Sequence, residues 1–178
     1  MERRGLVIVH TGEGKGKTTA ALGLALRAWG GGLRVLILQF IKGGRTYGEL
    51  SAVEKLAEAE GRIELRQLGL GFTRREDGRE EEHKKAAKEA LIEAKKETAS
   101  GKWDLIVLDE INYAVKFGLL KEDEVLGLIL EKPAPLHLVL TGRDAAPKIV
   151  EAADLVTEMK LLKHPFSEGI KAQRGIEF

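Results

Sequence analysis

The stretch "HTGEGKGKTT", residues 10–19, decides how the rest of the chain is read. An apolar run over residues 5–10 precedes it, and a helix-forming apolar run over residues 18–29 follows, stopped by Gly30, Gly31 and Gly32. A strand, a glycine-rich turn and a helix opening on Lys-Thr make an anion cradle. Amide N–H groups at the helix N-terminus converge on the turn, and glycines let the main chain approach a phosphate. In such a cradle Lys17 supplies a cation and the Thr18 hydroxyl a hard oxygen ligand for Mg²⁺. The common spacing G-x-x-x-x-G-K-[ST] wants a glycine at position 11, but the residue there is Thr11 and Gly12 comes one place late. The dinucleotide fingerprint G-x-G-x-x-G also fails, because Lys17 stands where its third glycine belongs, which disfavours a nicotinamide enzyme. A solvent-exposed Gly/Lys turn that merely precedes a helix is the plain alternative.

Outward from the loop, strand and helix alternate. Residues 34–40 read as a second buried strand, 62–68 as a third, 103–110 as the most apolar, and 136–141 and 155–162 as two more. Helices are expected from the capping box Ser51/Glu54 to Gly61, over residues 80–100, over 122–132, and from Pro147 onward. Ala87, Leu91 and Ala94 give the long helix an apolar face, with Glu81 and Lys85 outside. Only residues 69–82 form a long irregular connection, the kind that is functional or mobile. The cadence, with no Pro/Ser-rich linker and no repeat, implies one α/β domain over residues 1–178, its sheet mainly parallel with helices on both faces.

The strand "LIVLDE", residues 105–110, ends in Asp109 and Glu110, as a Walker B strand does when its carboxylate serves Mg²⁺. In an open α/β sheet this end meets the phosphate loop at one crevice. A helix cap or an exposed loop is the alternative for this pair. With both elements in order, the chain is expected to bind a nucleoside triphosphate with Mg²⁺.

Composition narrows the partners. The 178 residues carry a formal net charge of +1, so no basic field argues for nucleic acid or an anionic membrane. Cysteine is absent, which excludes disulfides, iron–sulfur clusters and thiolate zinc and is consistent with a cytoplasmic location. The apolar run at the start is too short for a signal peptide, and nothing reads as a membrane span. Of the four histidines, His10 and His137 read as packed strand residues and His83 as a surface residue among charges, while His164 stands in the C-terminal stretch "KHPF"; none reads as a metal ligand.

Seven segments, "TGEGKGKTTAALGLALRA", "QFIKG", "LGFT", "DLIVLDEIN", "LTGR", "ADLVTEM" and "KHPFSEGIKAQRGIEF", occur in that order and resemble the P-loop ATP:corrinoid adenosyltransferases. The resemblance runs from about residue 5 to residue 178. It implies a RecA-like P-loop fold. It also implies transfer of the 5′-deoxyadenosyl group of ATP to Co(I) of cobalamin or a precursor such as cob(I)yrinic acid a,c-diamide, with release of tripolyphosphate. The family's loop also reads T-G-x-G-K-G-K-T-T, so Thr11 and Gly12 fit it. By that resemblance Thr11, Gly12, Glu13, Gly14, Lys15, Gly16, Lys17, Thr18 and Thr19 hold the triphosphate, and Arg27 of "LALRA" reaches the phosphates. Lys17, Thr18 and Glu110 carry the chemistry, and Thr18, Asp109 and Glu110 hold Mg²⁺. Phe72, Thr73 and Arg74 lie on the corrin side. At Arg74 the chain departs from the family's "GFTW". It also begins almost at its first strand, where relatives carry a helical extension, so a more open corrin pocket, or one completed by a second subunit, is expected. A flavoprotein or other reductant and a homodimer follow from the same resemblance. Two rivals stay open: a non-catalytic binder of ATP and corrinoid, and a RecA-like P-loop ATPase.

Overall fold

The computed structural model describes residues 4–44, 47–71 and 78–177. In chain order the elements are β1 (Val7–Thr11), α1 (Lys17–Gly30), β2 (Val35–Gln39), α2 (Gly48–Glu60), β3 (Ile63–Gln67), α3 (Glu80–Ala99), β4 (Leu105–Asp109), α4 (Ile111–Lys116), α5 (Glu122–Glu131), β5 (His137–Thr141), α6 (Pro147–Ala152) and β6 (Leu155–Glu158), then a 3₁₀ turn over Pro165–Glu168. The six strands make one sheet in the order β3-β2-β4-β5-β1-β6. Every pairing is parallel.

Period-2 alternation sends each strand's side chains to two different cores. Leu36, Leu38, Ile106 and Leu108 pack with Ala87, Leu91 and Ala94 of α3, Val125 and Leu128 of α5, and Ile149 of α6. Val35, Ile37, Leu105, Val107 and Val139 pack with Ala21, Ala25 and Ala28 of α1 and Val53 of α2. Strands apolar on both faces therefore require helices on both faces, as their sequences indicate. The same alternation carries Gln39, Asp109 and Thr141, the last residues of β2, β4 and β5, to the α1 side of the sheet. That places three polar side chains directly beneath the helix that opens on Lys17.

Four local expectations are revised. Helix α2 begins at Gly48, with extended Tyr47 as its cap, so Ser51 lies inside the first turns and its capping box is not used. Helix α4 was not anticipated; six residues are too few to show a helical period. Strand β6 stops at Glu158, well short of residue 162. His83 is buried, because the α3 stripe of Ala87, Leu91 and Ala94 continues one turn back through it. The charges around it obscure that spacing. His10 is buried as expected, and His137 is half-buried with its Nδ1 accepting from the Leu6 amide at 3.1 Å.

Candidate active site

The late glycine has a structural reason. Thr11 does not sit in the turn: it is the last residue of β1, pairs with Glu158, and accepts at its carbonyl from the Met159 amide at 2.9 Å. Its hydroxyl accepts from the Ala145 amide at 3.0 Å. The chain turns only at Gly12, where φ is +95°, and a Cβ there would lie 2.5 Å from the Met159 carbonyl oxygen. Gly14 is equally confined, donating to the Met159 carbonyl at 2.7 Å. The glycines follow from a C-terminal strap, residues 159–160, that braces the loop from outside.

Inside the loop, Lys17 folds back so that its Nζ donates to the carbonyls of Gly12 at 2.7 Å and Gly14 at 2.6 Å. Burial pushes its ammonium below the ordinary lysine value; Glu110 and Glu13 pull it back up, and Arg143 adds to the lowering. Helix α1 starts after Gly16 (φ +109°) with no side-chain cap and no acid in its first turn. Its first N–H groups are therefore available to an anion.

Asp109 anchors the opposite wall. It is 1% exposed. Its Oδ1 accepts from the hydroxyls of Thr18 and Thr141, each at 2.8 Å, and its Oδ2 from the Gln39 amide at 3.1 Å, with the Lys42 ammonium 3.6 Å away. Glu110 follows in the left-handed region, φ 63°, a strained setting for a residue with a side chain. Burial, reinforced by the charge of Asp109, raises its carboxyl to about 6 against the pull of Lys17, Lys42 and Arg143. Burial opposes the Lys42 charge, yet Asp109 and Glu49 hold its pKa above the usual lysine value.

Between these walls lies a cleft of about 730 Å³. Glu13 to Thr19, Lys42, Glu110, Tyr113 and Arg143 face it, and Gly175 to Glu177 close one side. A family model described as ATP:corrinoid adenosyltransferase BtuR/CobO/CobP matches residues 3–178. The chain belongs to the ATP:corrinoid adenosyltransferase family. It is 44% identical to a corrinoid adenosyltransferase of Pseudomonas aeruginosa over 99% of this chain and 85% of that one. It is 40% identical to the corrinoid adenosyltransferase of Escherichia coli K12, over 99% and 87%. Among solved structures it resembles the flagellar accessory protein FlaH of Methanocaldococcus jannaschii (TM-score 0.58, 13% identity, 88% of this chain and 71% of that one). It also resembles a KaiC-like protein of Pyrococcus horikoshii (TM-score 0.53, 20% identity, 90% and 75%). Those two likenesses concern the fold alone, which is RecA-like.

In this adenosyltransferase the loop residues Gly14, Lys15, Gly16, Lys17, Thr18 and Thr19 share the cleft with Glu110. Lys15 is ion-paired to Glu177 of the C-terminal segment, and Glu13 to Arg143 at 2.9 Å. Asp109 lies beneath the cleft rather than in its lining. Arg27 is exposed in the last turn of α1, roughly 15 Å along the axis from Lys17, and does not line the cleft. Phe72, Thr73 and Arg74 lie outside the described residues. His164 caps the 3₁₀ turn, its Nδ1 accepting from the Phe166 amide at 3.1 Å, and does not line the cleft. The sequence reading assigned no role to Gln39, Thr141 or Arg143, although each stands in a quoted segment. Its signal for them was position: each ends a buried strand or follows one.

The residues present suit Mg²⁺. Thr18 commits its proton to Asp109, which leaves the oxygen lone pairs free, and the half-buried Glu110 carboxylate lines the same cleft. Among the described residues no three acidic or histidine groups gather to hold a metal alone.

Raising Glu110 from its ordinary value disfavours the ionised fold. The group therefore weakens the metal-free protein as pH rises from 4.5 through 6, and protonation relieves the cost. Glu110→Gln is expected to stabilise the metal-free protein at pH 7 by on the order of 2 kcal/mol. It should also flatten the dependence of melting temperature on pH between 5 and 7. Thermal melts of both proteins across that range, in chelator, check this; parallel curves would contradict it.

Proposed function

We propose that the cleft holds the triphosphate of Mg·ATP and presents the ribose C5′ to a corrinoid. The observation that carries this is the convergence of the uncapped α1 N-terminus, Lys17 and Glu110 on one cleft. Co(I) is nucleophilic enough to need no general base, so the chain's work is alignment and charge control. The Co(I) electron pair forms the cobalt–carbon bond while the C5′–O bond breaks, and that bond's electrons leave with tripolyphosphate. As charge builds on the leaving oxygen, the N–H groups of residues 15–18 and the Lys17 ammonium stabilise it. Thr18 and Glu110 would hold Mg²⁺, with Asp109 supporting them through its hydrogen bond from the Thr18 hydroxyl. Bound there, Mg²⁺ would supply further neutralisation of the triphosphate.

This reading makes the chain a single cytoplasmic domain that works as a homodimer, with a flavoprotein or other reductant delivering the electron that makes Co(I). Its support is family membership and, among the described residues, the absence of any helix long and apolar enough to cross a membrane. The test mixes protein, chemically reduced cob(I)alamin, Mg²⁺ and ATP without oxygen. Light-sensitive adenosylcobalamin and tripolyphosphate are expected in equal amounts. ADP and orthophosphate without alkylated corrin would instead favour a plain ATPase, and bound corrinoid without either product a binder.

A further inference from the structure

One hydroxyl does two jobs at the end of β5. Thr141 Oγ1 donates to Asp109 Oδ1 at 2.8 Å and accepts from the Glu110 amide at 2.9 Å. Thr141 is fully buried, and its carboxylate partner also takes the Thr18 hydroxyl. The result is an unbroken chain of hydrogen bonds from the start of α1, through the end of β4 and the end of β5, to the start of α4. Its last link falls on a non-glycine residue in the left-handed region. Glu110 caps α4 with φ 63°, and its N–H points away from the helix toward Thr141. Valine, nearly the same shape, would fill the space and make neither bond.

We propose that Thr141 is a positioning residue that holds the Glu110 backbone in its left-handed conformation and so aims the Glu110 carboxylate at the position beside the Thr18 oxygen. The inference rests on the reading that Thr18 and Glu110 share a divalent cation. The hydroxyl, not the methyl, carries the effect, because only the oxygen meets both partners. A strained conformation persists only where its surroundings over-determine it. Here the determinants include the Gly142–Tyr113 crossing, where a Cβ on Gly142 would come 2.6 Å from the Tyr113 amide, the Glu110 carbonyl accepting from the Ala114 amide at 3.1 Å, and the hydrogen bond from the Glu110 N–H to Thr141. Loss of the bond frees Glu110 to rotate toward an ordinary φ and swing its carboxylate off the Thr18 side of the cleft.

The test uses the full chain with ATP and Mn²⁺, followed by the electron paramagnetic resonance of free Mn²⁺. In metal-free protein, solvent exchange of the Glu110 amide is measured alongside. Thr141→Val is expected to weaken Mn²⁺ binding about 10- to 100-fold and to speed that exchange, while Thr141→Ser stays near wild type in both. Thr141→Ala replaces the valine variant if the latter does not fold. Wild-type Mn²⁺ affinity in Thr141→Val, with a loss in Glu110→Gln, overturns the positioning role and leaves the cation site standing. Equal losses in the Ser and Val variants also overturn it, since packing would then be the cause. Unchanged binding in Glu110→Gln overturns the cation site itself, and the proposal with it.

Discussion

Lys17→Met is expected to lower kcat/KM for adenosyl transfer by about 10³-fold, the scale of removing a preorganised charge partner from developing negative charge. Two losses add in this variant. The ammonium no longer meets the leaving triphosphate, and the carbonyls of Gly12 and Gly14, which Nζ ties together, lose their shared donor. Lys17→Arg should recover little. The side chain is 7% exposed and threaded under the loop, so a planar guanidinium has no room to reach both carbonyls. Initial rates with chemically reduced cob(I)alamin, together with ATP binding measured by calorimetry, separate the two losses. A variant that binds ATP normally and turns over within tenfold of wild type would refute the assignment.

Gly12→Ala should be as severe by a different route. The residue turns the chain at φ +95°, and the new methyl would press on the Met159 carbonyl, a backbone atom held in the strap along β6. Strain and overpacking together cost about 3 kcal/mol. Relief requires pulling the loop off the strap, which misaligns the N–H groups that face the phosphates. The expected outcome is a lowered melting temperature and a loss of ATP affinity of more than about 100-fold. Thr11→Gly is the informative control. It restores the common spacing but loosens the end of β1, and it should not improve binding. Melting curves and ATP titrations of the two variants decide the matter: better binding in Thr11→Gly would mean that the strap has no part in setting the glycine's position.

These cases show what the sequence exposed and what it hid. Strands such as β2 and β4 are apolar on both faces, so their burial, the parallel sheet and the flanking helices were all legible. The phosphate loop and the Asp109-Glu110 pair were legible because the chemistry fixes residue type and spacing together. The reason for Gly12 was not. It depends on Met159, far away in the chain, and a glycine required by a distant backbone looks the same as one required by a phosphate. Thr141 was hidden for the same reason: its partners, Asp109 and the Glu110 amide, come from another strand. Helix α4 was too short for periodicity, while His83 was concealed by the Glu and Lys residues on either side of a buried stripe. Local pattern reveals elements; contacts between elements set the fine geometry of the site.

The strand order bears on how the molecule is made. β1, which precedes the other described strands in the chain, is inserted between β5 and β6, pairing Val7 with Leu138 and Ile8 with Leu155. During translation the phosphate loop, which follows β1, lacks both neighbouring strands until β5 and β6 have been made. Strands β2 and β4 precede β5 and β6 in the chain, so a nascent chain halted after α5 offers β1 neither of its two partners. ATP binding is therefore expected to require that β5 and β6 be in place beside β1.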